Sequence, residues 1–528
     1  MRAFALLAVL VAAGHLSFPQ TTPLLQAGLS PTPPMGWASW NHFFCDYTDQ
    51  TIRDQADALV SSGMRDLGYR YLLIQECIAP ARDAAGSVLV DGKRFPHGMK
   101  DLVDYVHSRG LKAGIYTDIG PNTCAGKPFQ GSYGYEQQDA NTFAAWGIDF
   151  IEMDYCNRPE GVTGRTIYER MAAAIQKTGR PMLFYICSWG NESPWTWAQG
   201  KAQLWRTEGD ISPNKNRVDW TSVVKNFESN ARHAVFSAAN SWNDPDMMEV
   251  GNPGLTPDEA QTHFSMWVIS AAPLWAGNDL TDMTDSIRSI YTNSEAIAID
   301  QDPLGAGVSK VKEYGNGLEV WMKPLGTFGS GTDAVLLLNL TAAPAEVAVQ
   351  WSDLELSGRA AVRDLCAHKE LGEFRDGYKA RIPAHGSVLL KVSGEFSWTQ
   401  GATYEAEWPG NVRGGDAALI PCPECSQGYA VALHGGGKGS QGSSLAFTHI
   451  GVPASGRYWM NLAYAYNDSG DKTVQMQVNG GQPADIQLPG AVFGSTRIPV
   501  ELNKGDNSIV FRFTGENSAN IDRLTVSR

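Results

Sequence analysis

Two aspartates stand where a carboxylate can do chemistry. The stretch FIEMDYC (150–156) reads as a buried strand that stops abruptly at Asp154, with Cys156 just behind it. Further on, LWRTEGD (204–210) repeats that logic, an apolar start running into Arg206 and Asp210. Two acidic side chains at two strand ends are what cleavage of a glycosidic bond requires. One attacks the anomeric carbon; the other gives a proton to the leaving oxygen and later takes one from water. In the retaining geometry the carboxyl groups stand about 5–5.5 Å apart. The attacking group must stay ionised, which nearby donors or cations favour, while the acid must hold its proton until needed. An aspartate taken at random would cap a helix or solvate a loop. The strand-end positions and flanking residues give these two the chemical role.

Such positions imply a parallel α/β barrel, which carries its chemistry at the C-terminal ends of its strands. Strand-like runs alternate with helical ones from about residue 31 to residue 303. MGWASWN (35–41), YRYLLIQEC (69–77), LKAGIYTDIG (111–120), the Asp154 segment, MLFYICSWG (182–190), LWRTEGD and APLWAGNDL (272–280) read as strands, and SWNDPDM (241–247) as a polar turn. Amphipathic helices are predicted over 49–62, 101–108, 137–146, 166–177, 220–233, 257–270 and 286–292. YRYLLIQEC is apolar nearly throughout, as in a strand covered on both faces. The count and spacing predict a (β/α)8 TIM barrel over residues 31–305. A doubly wound open sheet is the alternative, but no glycine-rich phosphate loop follows a first strand.

Beyond Gly305 the pattern becomes short β runs between turn residues, which predicts an antiparallel β-sandwich over 306–394. A second all-β segment over 398–528 carries YWMNLAYAYN (458–467) and a Gly/Ser-rich surface loop (435–444). Alternation along that strand turns half of its aromatics inward. Trp408, Tyr464, Tyr466 and Asn467 are candidates for contact with a glycan.

Bulk properties narrow the partners. The 528 residues carry 42 Lys+Arg against 56 Asp+Glu, a formal net charge of -14, which disfavours nucleic acid and anionic membranes and permits a neutral sugar. Arg2 followed by an apolar run (3–13) reads as a signal peptide, taken as residues 1–21, so a secreted or periplasmic location without a membrane anchor is expected. Export permits disulfides among the eight cysteines. Cys422 and Cys425 form a lone C-x-x-C whose pairing the sequence leaves open, and no second pair completes a zinc site.

The ordered motifs MGWASWN, LKAGIYTDIG, WGIDFIEMDYC, LWRTEGDI, SWNDPDM, APLWAGNDL and AIAIDQDPLG resemble glycoside hydrolase family 27, the α-galactosidase and α-N-acetylgalactosaminidase family. The resemblance spans barrel and sandwich. It implies a retaining double displacement with Asp154 as nucleophile, Asp210 as acid/base, an oligo- or polysaccharide substrate and no cofactor for catalysis. It places Trp40 under the apolar face of the sugar and Arg206 on its hydroxyls. Tyr116, with Asp118, faces the same mouth; Asp246 and Met247 line the wall, and Cys187 the pocket. It also implies the disulfides Cys45–Cys77 and Cys124–Cys156. Each closes a loop worth about 3–4 kcal/mol in the chain-entropy model.

Three departures bear on the sugar. Gln75 and Glu76 stand where α-galactosidases of the family usually carry two aspartates that bind O4 and O6 of galactose. Glu152 replaces a lysine that contacts the O3/O4 edge, and Ser188 lies where the family reads the 2-substituent. Exchanging a cation for an anion means that a hydrogen-bond polarity must be rebuilt. Glu76, longer than aspartate, would protrude where the C6 hydroxymethyl sits, so a β-L-arabinopyranosidase or an isomaltose-releasing dextranase of the family stays open. A non-catalytic sugar-binding barrel is a further alternative, opposed by the presence of both aspartates. In the C-terminal segment, YEAEW (404–408) and NIDRLTV (520–526) resemble carbohydrate-binding modules of families 6 and 35. Such jelly rolls hold calcium with carboxylates from both termini, which makes Glu405, Glu407 and Asp522 candidate ligands, or else solvated acids.

Overall fold

Eight short apolar segments become parallel strands: β1 (Met35–Ala38), β2 (Tyr71–Ile74), β3 (Lys112–Asp118), β4 (Phe150–Asp154), β5 (Leu183–Cys187), β6 (Leu204–Arg206), β7 (Trp242–Asp244) and β8 (Leu274–Ala276). They pair in the order β8-β1-β2-β3-β4-β5-β6-β7. The sheet curls back on itself where Met248, just past β7, bridges in parallel to Ala276 of β8. This computed structural model describes residues 28–211, 217–435, 442–466, 470–490, 492–513 and 518–528. The expected signal peptide lies outside them. No helix among the described residues is long and apolar enough to cross a membrane.

Side chains of alternating direction fill the inside of the sheet. Phe150 stacks on Trp275 and Tyr185, with ring centroids 5.2 and 6.1 Å apart. Tyr71, Leu204 and Trp242 complete this inner core. Gly114 on β3 is required here, because a Cβ would meet Phe150 Cδ1 at 2.6 Å. The outer face of the sheet packs against helices whose ends are written in the sequence. Asp49–Ser61 starts at a Thr48–Thr51 capping box, and Pro257–Ile269 at Thr256 and Glu259 with proline in the first turn. Left-handed Gly147 and Gly179 end Glu136–Trp146 and Gly164–Thr178.

Four expectations are corrected. SWNDPDM is not merely a turn, since it contains β7. Its Trp242 is buried inside the barrel, and three residues are too few to show alternation. LWRTEGD is strand only as far as Arg206, so Asp210 sits on the loop beyond it. β1 ends at Ala38, and Trp40 opens a one-turn helix, Trp40–Phe43. A further helix, Ser294–Asp300, follows Asp285–Tyr291, capped by Asn293.

Two β-rich units follow. In the first, sheets of six and two antiparallel strands span Ser309–Glu313 to Ser387–Phe396. Its larger sheet lies on the barrel helices: Trp321 meets Phe227 edge-on at 4.7 Å, and Leu336, Leu338 and Leu389 join the barrel's outer core. In the last unit, strands from Ala402–Glu405 to Ser518–Ser527 form two antiparallel sheets around a core that includes Phe447, Tyr458, Leu462 and Phe511. Three aromatics proposed to face a glycan there are buried. Tyr464 and Tyr466 give their hydroxyls to Pro489 O and Leu488 O. Trp408 plugs the junction with the barrel, donating its indole N–H to Ser237 O at 3.1 Å. Asn467, proposed with them, lies outside the described residues.

Candidate active site

Strands β2 to β7 deliver their last residues to one mouth. Register sets Asp118 on β3 beside Asp154 on β4, and Asp154 beside Cys187 on β5. Asp154 is buried, and Tyr116 donates its hydroxyl to Asp154 Oδ2 at 2.8 Å, while Tyr155 N–H donates to Oδ1 at 2.8 Å. Burial, then the charge of Asp210, pushes the Asp154 carboxyl up to about 7 from an ordinary 3.8, against the pull of those two donors. Asp210 reaches the same mouth through Arg206, whose Nη1 lies 3.7 Å from the sulfur of Cys187, the residue beside Asp154 in register. The side chain of Asp210 is half exposed and pairs with Arg206 Nη2 at 3.0 Å.

Arg206 organises the far wall. It is 3% exposed, and its Nη1 lies 3.1 Å from Asp246 Oδ1 and 3.7 Å from the sulfur of Cys187. Asp246 is held in turn by Ile211 N–H and by Met247 N–H, both at 2.8 Å. Its carboxyl therefore faces Arg206 and the backbone. The Cys187 thiol, pushed well up by burial, is neutral. Ser188 is fully buried and spends its hydroxyl on Asn191 O at 3.1 Å.

On the near wall Gln75 and Glu152 meet. Gln75 Nε2 donates to Glu152 Oε2 at 2.7 Å, and Gln75 Oε1 accepts from Trp40 N–H at 3.0 Å. Glu152 is buried, and burial followed by the charge of Asp154 raises its carboxyl far above 4.5. Glu76 and Cys77 have positive φ of 55° and 52°, a conformation that favours glycine. Tyr47 stabilises that turn by donating to Gln75 O at 2.8 Å and Glu76 O at 2.6 Å. Glu76 Oε1 accepts from Ala125 N–H at 3.0 Å, while Oε2 is buried without a hydrogen-bond partner.

Both expected barrel disulfides form, Cys45–Cys77 and Cys124–Cys156, and Cys422 pairs with Cys425. Gly120 has no Cβ to strike Cys156 O, which lets the loops after β3 and β4 lie against each other. The sulfur of Cys124 touches Asp154 Oδ2 at 3.1 Å. Asp118, Cys124 and Cys156 cluster as metal ligands would, but both sulfurs are tied up in the disulfide.

Sequence reasoning passed over Ser39 and gave Asp244 no role. Ser39 Oγ accepts from Gln75 N–H at 2.9 Å, and Asp244 supports the turn after β7 by accepting from Asp246 N–H at 2.8 Å. Asp118 is buried against Asp154 and pushed up to about 9, chiefly by burial and then by the Asp154 charge. Its strand-end position was the available signal; for Ser39 there was none.

Comparison with known proteins settles the family. Residues 32–302 match the family described as Alpha galactosidase A, and residues 315–392 its C-terminal beta sandwich domain. The chain belongs to the α-galactosidase A family. It is a glycoside hydrolase of the α-galactosidase type. A probable α-galactosidase of Dictyostelium discoideum is 43% identical over 379 residues, 71% of this chain and 95% of that protein. Alpha-galactosidase A of Cellvibrio japonicus is 43% identical over 382 residues, 69% of this chain and 93% of the other. The crystal structure of α-galactosidase I from Mortierella vinacea superposes with a TM-score of 0.66 at 35% identity, covering 70% of this chain and 99% of that one.

Proposed function

We propose that this family member releases terminal α-galactosyl-type residues from oligo- or polysaccharides with retention of configuration. The reading rests on buried Asp154 and half-exposed Asp210 standing at one mouth, linked through Cys187 and Arg206. An Asp154 oxygen attacks the anomeric carbon as the bond to the leaving oxygen breaks, and that oxygen takes the proton of Asp210. Water then adds to the same carbon, returns a proton to Asp210, and releases Asp154. Tyr116 O–H and Tyr155 N–H hold the attacking carboxylate in place. Arg206 positions Asp210, and Trp40 offers an aromatic face.

The near wall supports a rebuilt polarity. Burial and the Asp154 charge favour the protonated form of Glu152, whose carboxylic O–H would donate where the family resemblance expects a lysine. Gln75 orients it. Glu76 narrows the space for a hydroxymethyl group, which favours β-L-arabinopyranosides as a second substrate class. Nitrophenyl α-galactoside, β-L-arabinopyranoside and α-glucoside test this. Turnover is expected on one of the first two, with Glu76→Asp shifting preference toward the hydroxymethyl-bearing sugar. No turnover on either, or no shift, overturns the assignment.

The C-terminal unit is a carbohydrate-binding jelly roll in this reading, and the disulfides suit an oxidising, extracellular location. A structural calcium ion fits its acidic cluster in donor chemistry. Both oxygens of Glu407 and Oδ2 of Asp522 are buried without hydrogen-bond partners, Arg523 Nε standing 3.8 Å from the latter, and Ser426 joins Glu405 to Asp522, at 2.5 and 3.0 Å. The three acids do not all come within 4.8 Å of one another among the described residues. Glu405, Glu407 and Asp522 would hold the ion, which would neutralise their mutual repulsion and tie the first strand of the unit to the last. Calcium is expected to raise the unfolding temperature of this unit, and Glu407→Gln to abolish that response. Indifference to calcium and chelator alike removes the site.

A further inference from the structure

A cavity of about 660 Å³ lies away from the barrel mouth, where barrel, sandwich and C-terminal unit meet. Its walls come from the end of the barrel helix Trp220–Ala231, the sandwich strands Leu318–Pro324 and Thr332–Asn339, and the strand Ala402–Glu405. Aromatic rings supply much of the lining, with Phe328 edge-on to Tyr404 at 5.5 Å, and Trp321 and Phe396 alongside. Five carboxylate residues belong to this lining, among them Asp333 and Glu355. Asp333 is only 7% exposed. Among the described residues no ion pair or side-chain hydrogen bond reaches either group. Burial, then the Glu355 charge, pushes Asp333 up to about 7, and burial also raises Glu355.

A buried, unpartnered carboxyl is costly, so a cavity that holds one is built for a polar occupant or for water. Glu228, Asp353 and Glu405 line the space as well, against the two cations Lys310 and Arg232, which opposes an anionic ligand. Thr403 and Gln427 add a hydroxyl and an amide. Aromatic faces beside acids that can both accept and donate hydrogen bonds match the two sides of a sugar ring, apolar C–H and vicinal hydroxyl. The volume is that of a small-molecule site. We propose that the three-unit junction is a second, non-catalytic saccharide site that takes a neutral oligosaccharide of two or three rings against Asp333 and Glu355. The third unit supplies one wall, so the site exists only in the full chain. It does not depend on the roles given to Asp154 and Asp210.

The test is calorimetric titration of the full-length protein, with the barrel mouth saturated by galactose, using cellotriose, xylotriose, maltotriose and β-1,4-galactotriose. At least one probe is expected to bind with one-to-one stoichiometry. Asp333→Leu, which removes the acid, and Thr403→Trp, which fills the space from an exposed position, are each expected to weaken that binding about tenfold or more. Neither should change hydrolysis at the barrel mouth. Failure of all four probes at millimolar concentration overturns the proposal. So does binding unaltered in both variants, or a cavity that takes calcium and no sugar.

Discussion

At the scale of single residues, the site rests on how Asp154 is kept usable in a crowd of acids. Burial and Asp210 oppose its ionisation; Tyr116 and Tyr155 N–H favour it. Because its carboxyl lies near 7 in the free enzyme, the acid limb of kcat/KM is expected near neutrality rather than near 4. Tyr116→Phe deletes a donor to the ionised form, so the limb moves to higher pH. A pH profile of kcat/KM on an activated glycoside checks both statements; a shift to lower pH in the variant contradicts them. Asp154 and Arg206 could be read from sequence because each ends an apolar run. The partnership of Gln75 with Glu152 could not. The two stand far apart in the chain, and only the curl of the sheet, which lets the end of β2 reach β4 past β3, makes two odd substitutions a hydrogen-bonded pair.

At the scale of elements, strand ends and the loops behind them divide the work. Strand apolarity made seven of the eight barrel strands legible, and β7 escaped because Trp242–Asp244 has no alternation to see. The loop after β2 holds two left-handed residues, Glu76 and Cys77, each a conformation costing about 1–3 kcal/mol. Tyr47, from the loop before Asp49–Ser61, bonds both carbonyls of that turn, and Arg94 bonds the Cys45 and Tyr47 carbonyls beneath it. Tyr47→Phe leaves those buried acceptors short of a donor. It is expected to cost about 1–3 kcal/mol in chemical denaturation and to raise KM more than it lowers kcat. Unchanged stability and KM would mean that the turn holds itself.

At the scale of the whole molecule, the three units behave as one assembly around Trp408. Its ring is 8% exposed beside Leu304, Ala306 and Phe328, and Gln199 of the barrel donates to Pro409 O at 3.1 Å. Composition pointed to Trp408 as a glycan platform, since exposed and junction tryptophans look alike in sequence. Trp408→Ala empties an aromatic volume worth about 3–5 kcal/mol in a packed core. It is expected to split thermal unfolding into separate transitions and to expose the segment near residue 398 to proteolysis, while leaving kcat on small glycosides intact. A single unshifted transition would contradict that role.

The central claim is that Asp154 forms a covalent bond to the sugar. Incubation with a 2-deoxy-2-fluoroglycosyl fluoride of the preferred sugar, followed by proteolysis and mass spectrometry, addresses it directly. The account predicts one fluoroglycosyl group on the peptide that contains Asp154, and none in Asp154→Asn. A label on any other carboxylate, or full turnover by Asp154→Asn, would contradict it.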